Sequence, residues 1–514
     1  MKLKDHDLQQ INRDYLAGLA PDKLVEVSLK LLEDLKEARD SLNQTAQNSS
    51  RPSGSFAPWE GGAVASSPAA MEVAEPEPAE EAPPRHKKHP PLTDGPAGAG
   101  EPPEAKKPGK QKGAPGHGRK VELAVTDIKL HRAEVCAACG NKLGAEEPFE
   151  ARLGLYVLDV ELGTPGLQVS HVKHLYGASV CSCGHRSCTE PGRCEPEPGW
   201  RVELTEWHLV GPMLVSLLVC LSLRQRLSRP RIQEFLQDWL GISLSVGVIN
   251  QCITEGGRAA EPVEAQLIAE IQQAELLHAD ETGWKEHGRL VWLWVLVAPG
   301  VTLFLIGQRS WDVIADVLDG FAGWLMSDGY LSYRQYARRL RCLAHLIRKA
   351  RGLAESVEQE AQQFGEKTLA YLVLFIEAIY RARAGPGSRP KEELAEPLAE
   401  LKAWCQQHRD SPHSKTRQLA REFLNDWEAI WTVLDYPDLP LTNNIAERAL
   451  RHWVIARKIS YGTRTPQGSR ALTLLASVIE TCRQRQISPW PYLAEVIAAR
   501  RKGNPAPPLP AAVS

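Results

Sequence analysis

Two short apolar runs, each closed by an aspartate, set the strongest limit on how this chain can fold: LLHAD ends at Asp280 and GWLMSD ends at Asp328. Short apolar runs bounded by turn-forming residues read as buried strands. Between them, 290–298 and 301–307 read as two more strands turned by Pro299-Gly300, and a helix is predicted around 311–321 before the strand 324–327. Strand, hairpin, helix, strand is an order that brings both aspartates to the ends of neighbouring strands, with 276–280 as the first strand and 338–347 as a fifth. A third acid, Glu447 in TNNIAERALR, opens a helix in which Ile445, Ala449, Leu450 and Trp453 supply an apolar face for packing on a sheet. The intervening residues 353–431 read as helical throughout, which makes them an insertion in the sheet domain.

Three carboxylates in such settings suit Mg²⁺ or Mn²⁺, which prefer hard oxygen ligands, and two ions so held clamp the attacking and leaving oxygens of an in-line phosphoryl displacement. Each acid also has a plainer reading. Asp280 and Asp328 can be turn residues, since Gly329 follows the second directly, and Glu447 can be the N3 acid of a capping box with Asn444 as N-cap. Glu281 is expected to support the site or to face solvent. The surrounding charge favours a polyanionic substrate: residues 329–354 carry seven Arg or Lys and no acid, and from Glu447 to Glu480 six bases occur with no acid between.

At 514 residues and 43% apolar content the chain has room for several domains with real cores, and its net charge of −2 conceals strong segregation. Acids crowd 72–81, whereas Lys106, Lys107, Lys110, Lys112, Arg119 and Lys120 form a basic stretch suited to phosphate contact. The start, MKLKDHDLQQ, lacks the apolar core of a signal peptide, and 209–223 falls short of a membrane span, so a cytoplasmic protein without membrane contact is expected.

Leu24, Ser28, Leu31, Leu35, Ala38 and Leu42 follow heptad spacing, which reads as a short coiled coil and hence a homo-oligomer, or as an amphipathic helix docked on its own chain. The Pro-, Ala- and Ser-rich stretch that follows lacks the periodicity of a packed segment and reads as a disordered linker. Cys136-Ala-Ala-Cys139-Gly and Cys181-Ser-Cys183-Gly then form two tight knuckles able to place four thiolates around structural Zn²⁺, with Cys188 and Cys194 competing as ligands. The other five cysteines are scattered among apolar residues and read as core. Residues 210–223 read as a buried helix. In RPRIQEFLQDWLGISLSVGVIN a helix, a break at Gly241 and a second helix capped by Ser245 form a helix-turn-helix-like pattern, with Gly247, Asn250 and Gln251 placed for DNA contact.

HADETGW, MSDGY, CLAHLIRK and TNNIAERALRHWVIARKISYGT together resemble the insertion-sequence-66 family of bacterial DDE transposases, and AQNSSRPS, PGKQKGAPGHGRK and the cysteine knuckles are similar to its other segments. The long Pro-rich linker and the C-x-C knuckle depart from the family's pattern. The resemblance implies a multidomain α/β chain: a coiled coil (1–43), linker (44–120), zinc ribbon-like domain (121–200), helical region (201–270), an RNase H-like core in two parts (271–352 and 439–502), an all-α insertion (353–438) and a tail (503–514). It implies Asp280, Asp328 and Glu447 as catalytic acids, Asp280 bridging two Mg²⁺ ions, with His345, Arg348, Asn444 and Arg448 as supporting or DNA-positioning residues. It further implies DNA partners (the element's terminal repeats and a target), small accessory proteins of the element, and action at the bacterial nucleoid. A structure-selective nuclease using the same acids, and a domesticated DNA-binding protein without catalysis, are the alternatives.

Overall fold

The protein is described in a computed structural model at residues 15–16, 18–42, 124–163, 166–189, 210–385 and 390–512. The predicted linker, its basic stretch from Lys106 to Lys120, and Cys194 lie outside the described residues. The architecture is mixed α/β, with two sheets and many helices. Among the described residues no helix is long and apolar enough to cross a membrane.

Helix α1 (Pro21–Leu42) spans the predicted heptads, and within the single chain Leu24 and Leu35 on that seam are exposed. Lys36 of α1 pairs with Glu358 at 2.6 Å. The first sheet joins β1 (Asp127–His131), β2 (Phe149–Gly163), β3 (Gly166–Val180) and β4 (Arg186–Cys188). β2 and β3 form a long antiparallel hairpin, β1 runs parallel to β3, and β4 pairs with the end of β3.

The helical region begins with α2 (Pro212–Val219), which continues as a π-helical turn over Cys220–Arg224. Next come α3 (Arg229–Leu240) and α4 (Val246–Ala259). Gly241 ends α3 in the left-handed conformation at φ 64°, and the Ser245 hydroxyl accepts a hydrogen bond from Val248 N at 3.3 Å, as the local sequence predicts. Val248, Ile249, Cys252 and Ile253 bury one face of α4, leaving Gly247 and Asn250 exposed. Helix α5 (Glu261–Gln272) leads into the second sheet.

That sheet contains β5 (Leu276–Glu286), β6 (Arg289–Ala298), β7 (Val301–Gly307), β8 (Trp324–Ser327) and β9 (Arg339–Arg341) in the order β7-β6-β5-β8-β9. The first three are antiparallel; β5, β8 and β9 run parallel, with α6 (Asp312–Leu318) between β7 and β8. Two expectations need correction. β5 does not stop at Asp280, because its later residues stay paired with β6 as far as Glu286 opposite Arg289, and Trp284 is buried. The fifth strand is confined to three residues, because Leu343, Leu346, Ile347, Ala350 and Leu353 have helical spacing and form the buried face of α7 (Leu343–Ala354).

Four longer helices follow: α8 (Gln359–Ala384), α9 (Ala395–Gln407), α10 (Ser414–Asn425) and α11 (Trp427–Asp435). They share one apolar core with α7, Met326 of β8 and Leu340 of β9. A second core joins β5–β7 to the helical region and to α12 (Asn444–Ser460), α13 (Pro466–Gln484) and α14 (Pro489–Arg501). Alternation in β8 divides the two, since Leu325 packs into one core and Met326 into the other.

Candidate active site

The parallel pairing of β5 with β8 sets Leu276 opposite Trp324, Leu277 opposite Leu325 and His278 opposite Met326. Continuing that register two residues sets Asp280 level with Asp328, on neighbouring strands about 4.8 Å apart. Each carboxylate accepts one local backbone hydrogen bond, from Glu281 N to Asp280 Oδ1 at 2.9 Å and from Tyr330 N to Asp328 Oδ1 at 2.8 Å. Among the described residues neither aspartate is paired with a Lys or Arg side chain. Glu281, next in sequence, is treated in the opposite way: Arg309 Nη2 donates to its Oε1 at 2.7 Å and the buried Tyr333 hydroxyl to its Oε2 at 2.7 Å. It supports the site rather than facing into solvent.

Glu447 reaches this region because the start of α12 is tied to β5. Asn443 is fully buried; its Nδ2 donates to Ala279 O at 2.8 Å, its Oδ1 lies 3.2 Å from His278 Nδ1, and its N–H donates to Cys342 Sγ at 3.2 Å. The residue preceding Asp280 and the start of the helix bearing Glu447 are therefore held by one side chain. Sequence reasoning chose the neighbouring Asn444; the Asn-Asn doublet was the available signal, but only the fold shows which amide faces the strand. The capping box is not formed, since Asn443 is the N-cap, its side chain makes no cap bond, and Glu447 falls one position beyond N3. Asn444 opens the helix with its Oδ1 buried and without a hydrogen-bond partner.

Glu447 Oε1 lies 3.7 Å from His345 Nε2 and 3.7 Å from Arg348 Nη2, and Arg348 is fully buried. Arg448, by contrast, is exposed on α12. Cys342, His345 and Glu447 have potential ligand atoms within 4.8 Å of one another, a grouping the sequence reading did not include. The three acids Asp280, Asp328 and Glu447 are not so tightly gathered, yet they share one field. Burial, reinforced by Asp328, Glu281 and Glu447, holds the Asp280 carboxyl well above its usual range. Burial also raises Glu447, with Arg348 pulling it down and Asp328 pushing it up. The same burial, with Arg348, Lys349 and Arg341 nearby, keeps His345 neutral far below its ordinary value.

These features pass a chemical test for divalent cations. The carboxylates are hard donors that raise one another's proton affinity, Glu447 Oε1 is buried with its nearest bases at 3.7 Å, and among the described residues the aspartates have no protein cation paired with them. Two ions spaced about 3.5–4 Å apart need acids spread across the pair rather than packed on a single point.

At the other sheet, Cys136 and Cys139 meet Cys181 and Cys183. The Sγ atoms of Cys136 and Cys183 are 3.6 Å apart, as are those of Cys139 and Cys181. Tetrahedral Zn–S bonds of about 2.3 Å require sulfurs roughly 3.8 Å apart, so the spacing fits. Gly140 and Gly184 adopt φ 74° and 84°, the left-handed turns that close each knuckle. The backbone N–H of Cys139 helps lower the Cys136 thiol to about 6. Cys139, although drawn down by Asn141 N–H, is pushed up to about 12 with Cys136, Cys181 and Cys183 around it. Cys188 stands outside the four, at the end of β4.

Residues 208–471, about half of the sequence, match the family described as Transposase IS66 family, and the chain belongs to that family. Among its relatives, the uncharacterized protein y4qI of Sinorhizobium fredii is 24% identical over 303 residues, covering 53% of this chain and 56% of the relative. The uncharacterized protein y4hP of the same organism is 26% identical over 297 residues, covering 50% and 54%. A third, y4jO, is 40% identical over 63 residues, covering 12% and 20%. The chain thus spans about half the length of the first curated relatives it matches.

Proposed function

We propose that the chain is a DDE transposase that cleaves and joins DNA strands, with Asp280, Asp328 and Glu447 as its catalytic acids on an RNase H-like core formed by β5–β9, α7 and α12. The observation that carries this reading is the level placement of two aspartates on adjacent parallel strands, with no protein cation paired with them among the described residues. Bound Mg²⁺ or Mn²⁺ would supply positive charge to the attacking and leaving oxygens of a phosphodiester. Asp280, on the central strand, would contribute to both ions, with Asp328 and Glu447 each contributing to one. Asn443 fixes Glu447 relative to β5, while Arg348 limits where its carboxylate can swing. In the first reaction water forms a bond to phosphorus and the leaving 3′-oxygen takes a proton, freeing a 3′-hydroxyl. In the second that hydroxyl forms the new bond to a target phosphorus, and the displaced target oxygen takes the proton.

The same reading includes structural zinc on Cys136, Cys139, Cys181 and Cys183, pairing of two copies through α1, contact of α4 with DNA, and action with the element's accessory proteins in the bacterial cytoplasm. Its test is the joining of a pre-cleaved duplex, carrying the element's terminal repeats, to a supercoiled plasmid in Mg²⁺ or Mn²⁺. Wild-type protein should join the ends, and Asp280→Ala, Asp328→Ala and Glu447→Ala should bind them without joining. Plasmid nicking without joining by wild-type protein would instead identify a nuclease.

A further inference from the structure

The helical insertion does more than lengthen the chain, because α10 walls a cleft beside Asp328. The cleft has a volume of about 560 Å³; Gly329 and Arg334 line one side, Lys349 of α7 its end, and Arg417, Gln418 and Arg421 of α10 the other. Helix α10 has two distinct stripes. Thr416, Leu419, Ala420 and Phe423 are buried, whereas Ser414, Arg417, Gln418, Arg421 and Asn425 recur every three or four residues and face the cleft. Leu331 is the one large apolar residue in the lining.

The lining carries four bases and one acid; that acid, Glu422, is engaged by Arg341 and by Lys349 at 2.7 Å, and Arg334 is paired with Asp426 at 2.8 Å, so the charge left for a ligand is chiefly that of Arg417 and Arg421 on α10. Two bases on the α10 wall are braced rather than loose. Arg417 Nη1 donates to Ser411 O at 2.6 Å, and Arg421 donates to Arg409 O at 2.9 Å and to Asp410 Oδ1 at 2.6 Å. Arg421 and Asp410 both remain exposed, so this pair is screened and holds position more than it neutralises charge. Fixed guanidinium groups among short amides and a hydroxyl suit the charged backbone of a polynucleotide better than an apolar ligand. Gly329 follows Asp328 directly in sequence, which brings this side of the cleft next to the strand end that carries Asp328.

We propose that this cleft carries the phosphodiester backbone of the DNA strand adjoining the phosphate under attack, so that the helical insertion is part of the substrate-binding surface. The inference rests on the transposase reading and assigns to that site the path of its substrate.

The test uses the full chain and fluorescent random-sequence DNA, single-stranded and duplex, titrated without divalent cations over a range of salt. Arg417→Ala with Arg421→Ala should weaken binding about tenfold or more and lower the salt slope by about two. Because those arginines also brace the loop before α10, Gln418→Glu with Asn425→Glu supplies a second variant that adds repulsion at exposed positions and leaves the braces intact. It should weaken binding to a similar degree. Unchanged affinity and slope in both variants would overturn the cleft assignment, as would displacement of the DNA by a mononucleotide as effectively as by unlabelled DNA, or no DNA binding by wild-type protein. The two readings separate cleanly. Weakened binding in both variants, with no joining by wild-type protein, keeps the cleft as a nucleic-acid site and sinks the transposase reading; normal binding in both, with joining lost in Asp328→Asn, does the reverse.

Discussion

Two groups of carboxylates, Asp280 and Asp328 on neighbouring strands and Glu422 and Asp426 at the end of α10, are treated by the fold in contrary ways. Asp426, at the end of α10, is buried and paired with Arg334 Nε at 2.8 Å, Arg339 Nη2 at 2.6 Å and Arg341 Nε at 3.1 Å, while Glu422 takes Arg341 and Lys349. These bases come from the stretch directly after Asp328, so they are close to the aspartates in sequence yet turned away from them. Among the described residues Asp280 and Asp328 keep only backbone N–H partners. The consequence is opposite in sign: against the effect of burial, Arg339 and Arg334 bring Asp426 below its ordinary value, whereas burial and neighbouring acids raise Asp280. Protein cations complete the first group, and the second is left with negative charge for a cation from solution.

The largest expected difference between the groups is in activity. Asp280→Ala, Asp328→Ala or Glu447→Ala should lower joining below detection while leaving end binding within a few-fold of wild type; any of the three that keeps full joining leaves the catalytic set. Asp426→Ala should show the reverse pattern. It leaves Arg334 and Arg339 without this carboxylate and the fully buried Arg341 with Glu422 alone, and breaking a buried pair costs about 3–5 kcal/mol. Chemical denaturation should report that loss, and a change below about 0.5 kcal/mol would show that the Asp426 network is not structural. Asn443→Ala falls between the two. By releasing α12 from β5 it should lower turnover more than DNA affinity, read as a split between the joining rate at saturating DNA and the binding constant, with Asn443→Asp failing to restore it because a carboxylate cannot donate to Ala279 O.

What the sequence made legible follows the range over which each feature is determined. The knuckle glycines, the Ser245 cap and the Pro299-Gly300 turn are set by residues close in sequence, and their local chemistry can be read directly, whereas the start of α7 was read as strand because its apolar run is short. That Asp280 and Asp328 stand on adjacent strands was expected from the order of elements in an RNase H-like core; their register was not legible, since the two strands run for 11 and 4 residues. Other features were hidden by distance. Asn443 meets Ala279 across 164 positions and Arg334 meets Asp426 across 92, and no local pattern links the members of either pair. The basic run after Asp328 was visible, but the structure divides its charge: Arg334, Arg339 and Arg341 turn to Asp426, Arg348 turns to Glu447, and Lys349 turns to Glu422. A count of bases therefore overstated how much of that charge is free for DNA.

The smallest effect gives the sharpest test of the comparison, because its sign differs between the two groups. Asp280 has a raised value in the folded protein, so the folded state holds its proton more tightly than the unfolded state does. Its contribution is harmless below the ordinary carboxylate value near 3.8 and becomes destabilising as pH rises through the folded value. Asp426 is lowered, so its stabilisation is present above the ordinary value and is lost as pH falls through the folded one. Metal-free protein should therefore lose stability at both ends of the acidic range for different reasons. Asp280→Asn should raise the melting temperature of metal-free protein by about 1–3 °C at neutral pH and flatten the decline above pH 4, while leaving the acid limb unchanged. Mg²⁺ should stabilise wild-type protein more at neutral than at acidic pH, since protons and cations compete for the same oxygens, and it should stabilise Asp280→Asn much less. A Mg²⁺ effect of equal size in both proteins would place the cation away from Asp280 and break the contrast between the two groups of acids.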